Sequence, residues 1–341
     1  MNPSGNTPPA KSRQLSVSPL LCGFDGIYLG YYGEVVGEVY SVLSGQGEVT
    51  ICGMDFKVQW NQRGRYSVVL DNDSLNIALG STAPWQTSPS VYVQVKSAYI
   101  WSAGIADAHR QVLSIVSDLY LAAPHCEQVS RVDLFADINW SKPFRAGDVG
   151  MFRTRAKNKV TRRAGQRISG FIIGEGGIIM ARIYDKTSEI RKSGKTWLYD
   201  LWDISQDSQV WRVEFQLRRE ALKELSIESF ADLMNASQAL WDYCTNKWLY
   251  MRKAGKKTRL ASFWERVQAA RFKPGDDSVK LVRRERVRSG MTEKQAADQI
   301  GGVVESYARS HEIEVYSTAF NQLIPRVRER WIPRRESTSQ N

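Results

Sequence analysis

A chain of 341 residues, 42% hydrophobic and carrying 11 Trp, is long enough for one large or two ordinary domains with substantial cores. No stretch approaches the ~18 apolar residues of a membrane span, and Cys22, Cys52, Cys126 and Cys244 lie far apart without zinc-ligand spacing, so a membrane protein, a disulfide scaffold and a zinc site are all disfavoured and a cytoplasmic setting is expected. The net charge of +11 is lopsided: between Met251 and Arg335, 20 Lys/Arg stand against 10 Asp/Glu, an asymmetry that suits a polyanion such as nucleic acid.

Residues 1–19 are polar and Pro/Ser-rich, and read as a disordered leader with no secretory signal. Gly23–Tyr32, Glu48–Trp60, Tyr66–Leu70 and Ser90–Val95 read as strands broken by Gly, Asn-Asp and Pro turn signals. Ile105–Leu121 follows as an amphipathic helix, with Ile105, Val112, Ile115, Val116 and Leu119 at helical spacing.

Three segments then alternate ionic and apolar residues at a period of two: Arg131–Ile138, Ala181–Glu189 and Trp211–Arg218. In the first, Arg131, Asp133, Phe135 and Asp137 share a face, with Val132, Leu134, Ala136 and Ile138 on the other. The second sets Arg182, Tyr184 and Lys186 against Ala181 and Ile183, and the third sets Arg212, Glu214, Gln216 and Arg218 against Val213, Phe215 and Leu217. Strands with one wet and one dry face are expected. Between them, residues 144–170 are basic and glycine-punctuated, a hairpin or mobile loop whose Arg153, Arg155, Lys157, Lys159, Arg162 and Arg163 suit a phosphate backbone or merely a solvated surface. Gly174–Gly177 reads as a hairpin turn.

Beyond the third segment, Ser226 is positioned to cap a helix bearing Phe230, Leu233, Met234, Leu240, Trp241, Cys244 and Trp248 as a core stripe. The tail offers helices at Ala261–Arg271, Asp277–Arg288 and Thr292–Ser310, the last opening with a Thr292/Gln295 capping box, while Gly301–Gly302 within it argues against a helix-turn-helix. The division expected is a leader at 1–19, a domain at 20–250 in two β-rich halves (20–130 and 131–250), a basic helical DNA-binding lobe at 251–335 and a disordered tail at 336–341. Lys256, Lys257, Arg283 and Arg284 are the DNA contacts expected from that lobe. The fold class is α+β: antiparallel β-sheets with helices packed on one face, plus the basic, mainly helical C-terminal lobe.

If the three ionic strands share a sheet, a Tyr hydroxyl lies on a floor of carboxylates and cations, as a metal-assisted tyrosine nucleophile requires. Asp133, Asp137 and Glu214 are candidate oxygen ligands, but Asp133 and Asp137 are ~13 Å apart on an extended strand, so Asp133 and Glu214 rank first, with Glu189 third. Asp137 is then free to orient a basic residue. Lys186 is placed to lower the phenol pKa of Tyr184 or to bind phosphate, and Arg182 and Arg212 to grip the scissile phosphate. The plainer alternative is an ion-pair lattice on a solvated face. His109, His125 and His311 are scattered and frame no catalytic triad.

RVDLFADI (131–138), ARIYDKTSEI (181–190) with GKTW (194–197), and WRVEFQLRREAL (211–222), together with GFDGIY (23–28) and SVYVQV (90–95), resemble the Rep-trans family, the replication initiation factors of plasmids, filamentous phages and conjugative elements. The resemblance spans most of residues 20–250. It implies a rolling-circle initiator in which Tyr184 attacks one DNA strand at the origin, forms a 5′-phosphotyrosine, frees a 3′-hydroxyl and later rejoins the strand. It also implies Mg²⁺ or Mn²⁺ held by Asp133, Glu189 and Glu214, single-stranded or hairpin DNA at the nick, a host helicase and polymerase as partners, homodimers, and no membrane. The alternatives are a conjugative relaxase with the same chemistry, a water-using nuclease and a non-catalytic DNA-binding protein.

Overall fold

The computed structural model describes residues 19–43, 45–60, 66–80, 88–120, 126–253, 255, 259–272 and 293–336, with backbone alone at 38, 293–296, 298 and 328–336. Two compact units divide the chain at 284/285. The first contains β1 (Leu21–Tyr32), α1 (Gly37–Leu43), β2 (Glu48–Ile51), β3 (Met54–Trp60), β4 (Tyr66–Asp71), β5 (Leu75–Gly80), β6 (Val91–Lys96), α2 (Ser97–Ala103), α3 (Ile105–Leu119) and β7 (Cys126–Asn139). It continues through β8 (Phe152–Thr154), β9 (Lys159–Ala164), β10 (Arg167–Ile173), β11 (Ile179–Asp185), α4 (Lys186–Ser193), α5 (Trp197–Trp202), β12 (Val210–Arg218), α6 (Arg219–Glu224), α7 (Phe230–Asp242), a π-helical turn at Tyr243–Trp248, β13 (Leu249–Met251) and α8 (Ser262–Gln268). The second unit holds α9 (Glu293–Ser310) and α10 (Tyr316–Glu336).

The fold is α+β, as the sequence suggests. Eleven strands form one antiparallel sheet in the order β2-β3-β4-β5-β6-β1-β7-β12-β11-β10-β9. The two β-rich halves are therefore one sheet, joined where β1 pairs with β7 from Leu21/Asp137 to Tyr32/Cys126. One face is apolar throughout: Ile27, Leu29, Val93, Val132, Leu134, Val213, Phe215, Leu217 and Ile183 are fully or almost fully buried. They form one core with Val112, Ile115 and Val116 of α3, Leu233, Leu240 and Trp241 of α7, and Phe263 and Trp264 of α8. Each such side chain contributes about 1.5–3 kcal/mol by leaving water.

Several local expectations change. Glu48–Trp60 is not one strand but the β2–β3 hairpin, because Cys52 and Gly53 both take positive φ (48° and 75°), the backbone of a tight two-residue turn that matches strand twist. Helix α7 is capped by Ser229, whose hydroxyl accepts from Asp232 N while Asp232 returns the bond to the Ser229 backbone; Ser226 sits at φ 60° before it. The ionic alternation of 181–189 ends at Asp185, whose carboxylate accepts from Ser188 N and starts α4, so Lys186 and Glu189 are helical. Residues 144–170 fold as β8 and the β9–β10 hairpin, and Gly174–Gly177 closes the β10–β11 hairpin with a 2.9 Å bond from Gly177 N to Gly174 O. The segment after residue 250 does not begin a separate lobe: β13 pairs with β8, and Phe263 and Trp264 of α8 enter the main core, which moves the division to 284/285.

In the second unit α9 and α10 pack together, burying Val304 and Ala319. The 1–18 part of the leader, the tail beyond 336, the helix expected at Asp277–Arg288, and Lys256, Lys257, Arg283 and Arg284 lie outside the described residues. Among the described residues no helix is long and apolar enough to cross a membrane.

Candidate active site

The register of the central strands lays the ionic residues out in rows on the second face of the sheet. One row runs Leu21, Asp137, Arg212, Tyr184, Gly170, Arg162, and the next runs Gly23, Phe135, Glu214, Arg182, Ile172. A third pairs Gly26, Asp133, Gln216 and Met180, and a fourth Tyr28, Arg131 and Arg218. The three segments thus do bring their ionic residues onto one face. That face is not wet, however: Asp137 is 0%, Arg212 2% and Glu214 6% exposed. The cover comes from sequence-distant helices, with Trp101 of α2 edge-on to Phe135 at 6.0 Å and Trp202 of α5 donating its indole N–H to Asp137 Oδ2 at 2.9 Å.

Burial forces each charge to find a partner. Arg212 forks onto Asp137 (Nε to Oδ1 2.7 Å, Nη2 to Oδ2 2.8 Å), donates Nη1 to Asp25 at 2.7 Å, and lies 3.7 Å from the centroid of Phe135. Arg182 donates to Glu214 Oε1 at 2.5 Å and to Gln216 at 2.9 Å. Arg131 forks onto Asp133, its Nε bond 2.9 Å long. Lys186 pairs with Glu189 one helical turn on, its ammonium 5.7 Å from the centroid of Tyr184. Tyr184 donates its hydroxyl to Glu214 Oε2 at 3.2 Å.

Next to Tyr184 the sheet is bare. Gly170 lies between Tyr184 and Arg162 in the first row, and a Cβ there would come 2.7 Å from Ile183 O and 3.1 Å from Tyr184 Cβ. The result is a cleft of about 310 Å³ lined by Arg162, Gly170, Arg182 and Tyr184. Arg182 is one-third exposed, its guanidinium turned towards Glu214 and Gln216 on β12, and Arg162 is mostly exposed beside Glu175, so both arginines line the cleft.

Electrostatics separates the carboxylates. Burial, then the nearby Asp25 carboxylate, raises Glu214, and burial likewise raises Asp133 against the pull of Arg131. For Asp25 burial is outweighed by Arg212 together with Lys186 and Lys195, and its pKa falls. The Tyr184 phenol lies well above its ordinary value because of burial and then the Glu214 carboxylate, the reverse of the activation expected from Lys186. Lys186 itself is lowered, by burial and then by Arg212.

The four expected ligands are not gathered. Asp137 is sealed beneath Trp202 against Arg212, Glu189 faces Lys186 on α4, and only Asp133 and Glu214 sense each other. Arg212, equally sealed, supports the floor and does not reach the cleft. The residue missing from the sequence reading is Asp25, which the β-bulge between Phe24 and Gly26 brings onto the ionic face; its only signal was a lone carboxylate between glycines in an apolar strand. Among the described residues no three of His, Cys, Asp and Glu stand close enough to hold a metal as placed. The oxygen donors Asp25, Asp133 and Glu214 nevertheless suit a hard divalent cation in kind: burial raises Asp133 and Glu214, the neighbouring Asp25 carboxylate adds to it in both, and a cation offsets that build-up of negative charge.

Of the basic hairpin, Arg153, Arg155, Lys157, Lys159, Arg162 and Arg163 are all exposed. Arg153 Nη1 and Lys159 Nζ donate to the backbone carbonyls of Gly150 and Phe152, and Arg162 faces Glu175 at 3.3 Å. Arg155, Lys157 and Arg163 have no carboxylate partner among the described residues.

A scan against protein-family models finds no match, and no curated protein matches the sequence. Among solved structures, a rolling-circle replication initiator protein from Geobacillus stearothermophilus superimposes with a TM-score of 0.42 and 13% identity, over 77% of this chain and 98% of that one. A likeness at that level leaves function to be read from the site.

Proposed function

We propose that this chain is a DNA nicking and joining enzyme that initiates rolling-circle replication, with Tyr184 as nucleophile. The observation that carries the reading is a tyrosine that lines a cleft together with two arginines and bonds its hydroxyl to a buried carboxylate, Glu214. In this reading the phenolic oxygen attacks the phosphorus of a phosphodiester held by Arg162 and Arg182. Its proton passes to Glu214, the bond to the 3′-oxygen breaks, and that oxygen leaves as a hydroxyl after taking a proton from solvent. The 5′-phosphotyrosine preserves the bond energy, so a returning 3′-hydroxyl can reverse the step, which a hydrolytic nuclease cannot do. Buried Arg212 holds Asp137 and Asp25 and so fixes the floor on which Tyr184 and Glu214 meet. A divalent cation, held by Asp25 and Asp133, would supply stabilisation of charge growing on the phosphate. The partners are DNA, single-stranded at the nick, and a host helicase and polymerase acting in the cytoplasm on the freed 3′ end.

The test incubates the purified protein with Mg²⁺ and supercoiled DNA carrying the cognate origin, and looks for nicked circles with protein covalently attached. Tyr184→Phe abolishes nicking and attachment while DNA binding persists. Normal nicking by Tyr184→Phe would shift the chemistry to activated water or to another tyrosine such as Tyr199, and a wild-type protein that binds without nicking is a docking protein.

A further inference from the structure

Beyond Arg131 the ionic face turns aromatic. Tyr28 on β1, Tyr92 on β6 and Tyr66 on β4 form a ladder, with ring centroids 6.1 Å and 6.0 Å apart and planes inclined by 39° and 34°. The Arg131 guanidinium lies 4.5 Å from the Tyr28 centroid and joins the ladder to the fourth ionic row. Tyr92 is flanked in register by Gly30 on β1 and Ala78 on β5; Pro89 packs over Gly30 and its carbonyl accepts from the Tyr66 hydroxyl at 3.3 Å, which fixes the outer rung. The hydrophobic core does not require these rings, because the opposite face of the same strands is already filled by Ile27, Leu29, Ile77, Leu79, Val91, Val93 and Val95, and all three tyrosines remain half-buried.

A second feature of this face concerns charge. Arg131 stands directly opposite Arg218 across the β7–β12 ladder. Like charges in that position repel. Arg131 has Asp133 as a partner, whereas Arg218 is exposed and has no carboxylate partner among the described residues. A phosphate lying over the two would relieve the repulsion.

We propose that the ladder is a stacking track for single-stranded DNA, with bases lying on Tyr66, Tyr92 and Tyr28, phosphates at Arg131 and Arg218, and the strand continuing along the same face to Tyr184. The polynucleotide and its direction rest on the nicking reading above; the stacking surface rests on the rings. From Tyr28 to Tyr184 the path crosses three strand spacings and runs six residues along β12, about 14 Å by 20 Å, a span of several nucleotides. Duplex DNA cannot use the track, since its base faces are occupied by its own stack. Stacking tolerates any base, so the track confers strand-state preference and no sequence preference.

Fluorescence anisotropy of fluorescein-labelled oligothymidylate, compared with a duplex of equal length, tests this directly. Tyr92→Ala, at the middle rung, weakens oligothymidylate binding roughly 5- to 150-fold and leaves duplex binding unchanged, while Tyr92→Phe retains wild-type affinity within about twofold. Tyr66→Ala, at the outer rung, gives the same selective loss and serves if Tyr92→Ala does not fold. Equal losses on single strand and duplex, unchanged oligothymidylate affinity in a folded alanine variant, or no oligothymidylate binding by the wild type would each overturn the track. Selective loss in a protein that never forms the covalent adduct upholds the track and overturns the nicking reading alone.

Discussion

The Tyr184 hydroxyl points at Glu214 Oε2, 3.2 Å away, and burial together with that carboxylate raises the cost of ionising the phenol. A pair of this kind acts by passing the phenolic proton to the carboxylate as the phosphorus–oxygen bond forms, so the carboxylate must be ionised beforehand. Because burial and Asp25 raise the Glu214 pKa, the nicking rate is expected to climb with pH through a limb lying above the ordinary carboxylate value of 4.5. Glu214→Gln removes that limb and lowers the single-turnover nicking rate by roughly 10²- to 10⁴-fold. A variant with an unaltered pH profile removes Glu214 from the role of base.

A divalent-ion titration discriminates between the ligand set expected from sequence and the one the sheet suggests. Asp25 and Asp133 share the face and the field of Glu214, whereas Glu189 is held by Lys186 on α4. Chelation is expected to stop nicking and Mn²⁺ to restore it. Asp25→Asn and Asp133→Asn raise the Mn²⁺ concentration needed, and Glu189→Gln leaves it unchanged. A shift seen only in the Glu189 variant would restore the sequence-derived set.

Arg212 is the structural keystone of the floor, 2% exposed and bonded to Asp137 and Asp25. Truncation leaves Asp137 buried without its counter-charge, so Arg212→Met is expected to cost about 3–5 kcal/mol in urea unfolding. Arg212→Lys does not restore it, because an ammonium cannot reproduce the two-pronged bond to Asp137. A near-neutral result would mean that water reaches Asp137.

The sequence made the faces of β7, β11 and β12 readable because a period of two survives wherever one side of a strand is apolar. It hid what lies above them. Trp101 and Trp202, which bury the ionic face, come from helices whose place over the sheet depends on long-range packing, so Arg212 read as a phosphate ligand when it is an interior ion-pair partner. Asp25 was hidden because the bulge at Phe24/Gly26 breaks the alternation that would have placed it. Glu189 was misplaced for the opposite reason, since the cap at Asp185 turns the chain into α4, although Lys186 in its first turn still lies beside the Tyr184 ring. Gly170 carries no signal of its own; the cleft it opens exists only through its register with Tyr184 and Arg162.

Gly170→Ala follows from that register. The added methyl meets the Ile183 carbonyl and the Tyr184 Cβ, two groups fixed by the β10–β11 ladder, so the strands must part. We expect about 1–3 kcal/mol of lost stability and a marked fall in nicking, with duplex binding unchanged. Gly176→Ala, at a φ of +77° but facing open space, is the control: it bears backbone strain alone and leaves nicking intact.

The basic hairpin can be assigned or dismissed as a DNA contact by its salt dependence. Arg155, Lys157 and Arg163 are exposed and without carboxylate partners among the described residues, so their replacement removes charge without breaking ion pairs. If each neutralises one phosphate, the slope of log affinity against log salt falls by about 0.9 per substitution on duplex DNA and about 0.7 on a single strand. The triple alanine variant is thus expected to lose between two and three units of slope on duplex, while its thermal unfolding stays at the wild-type temperature. An unchanged slope would mean that these cations make no phosphate contact, leaving Arg163 on the edge strand β9 as charge that prevents pairing with another sheet.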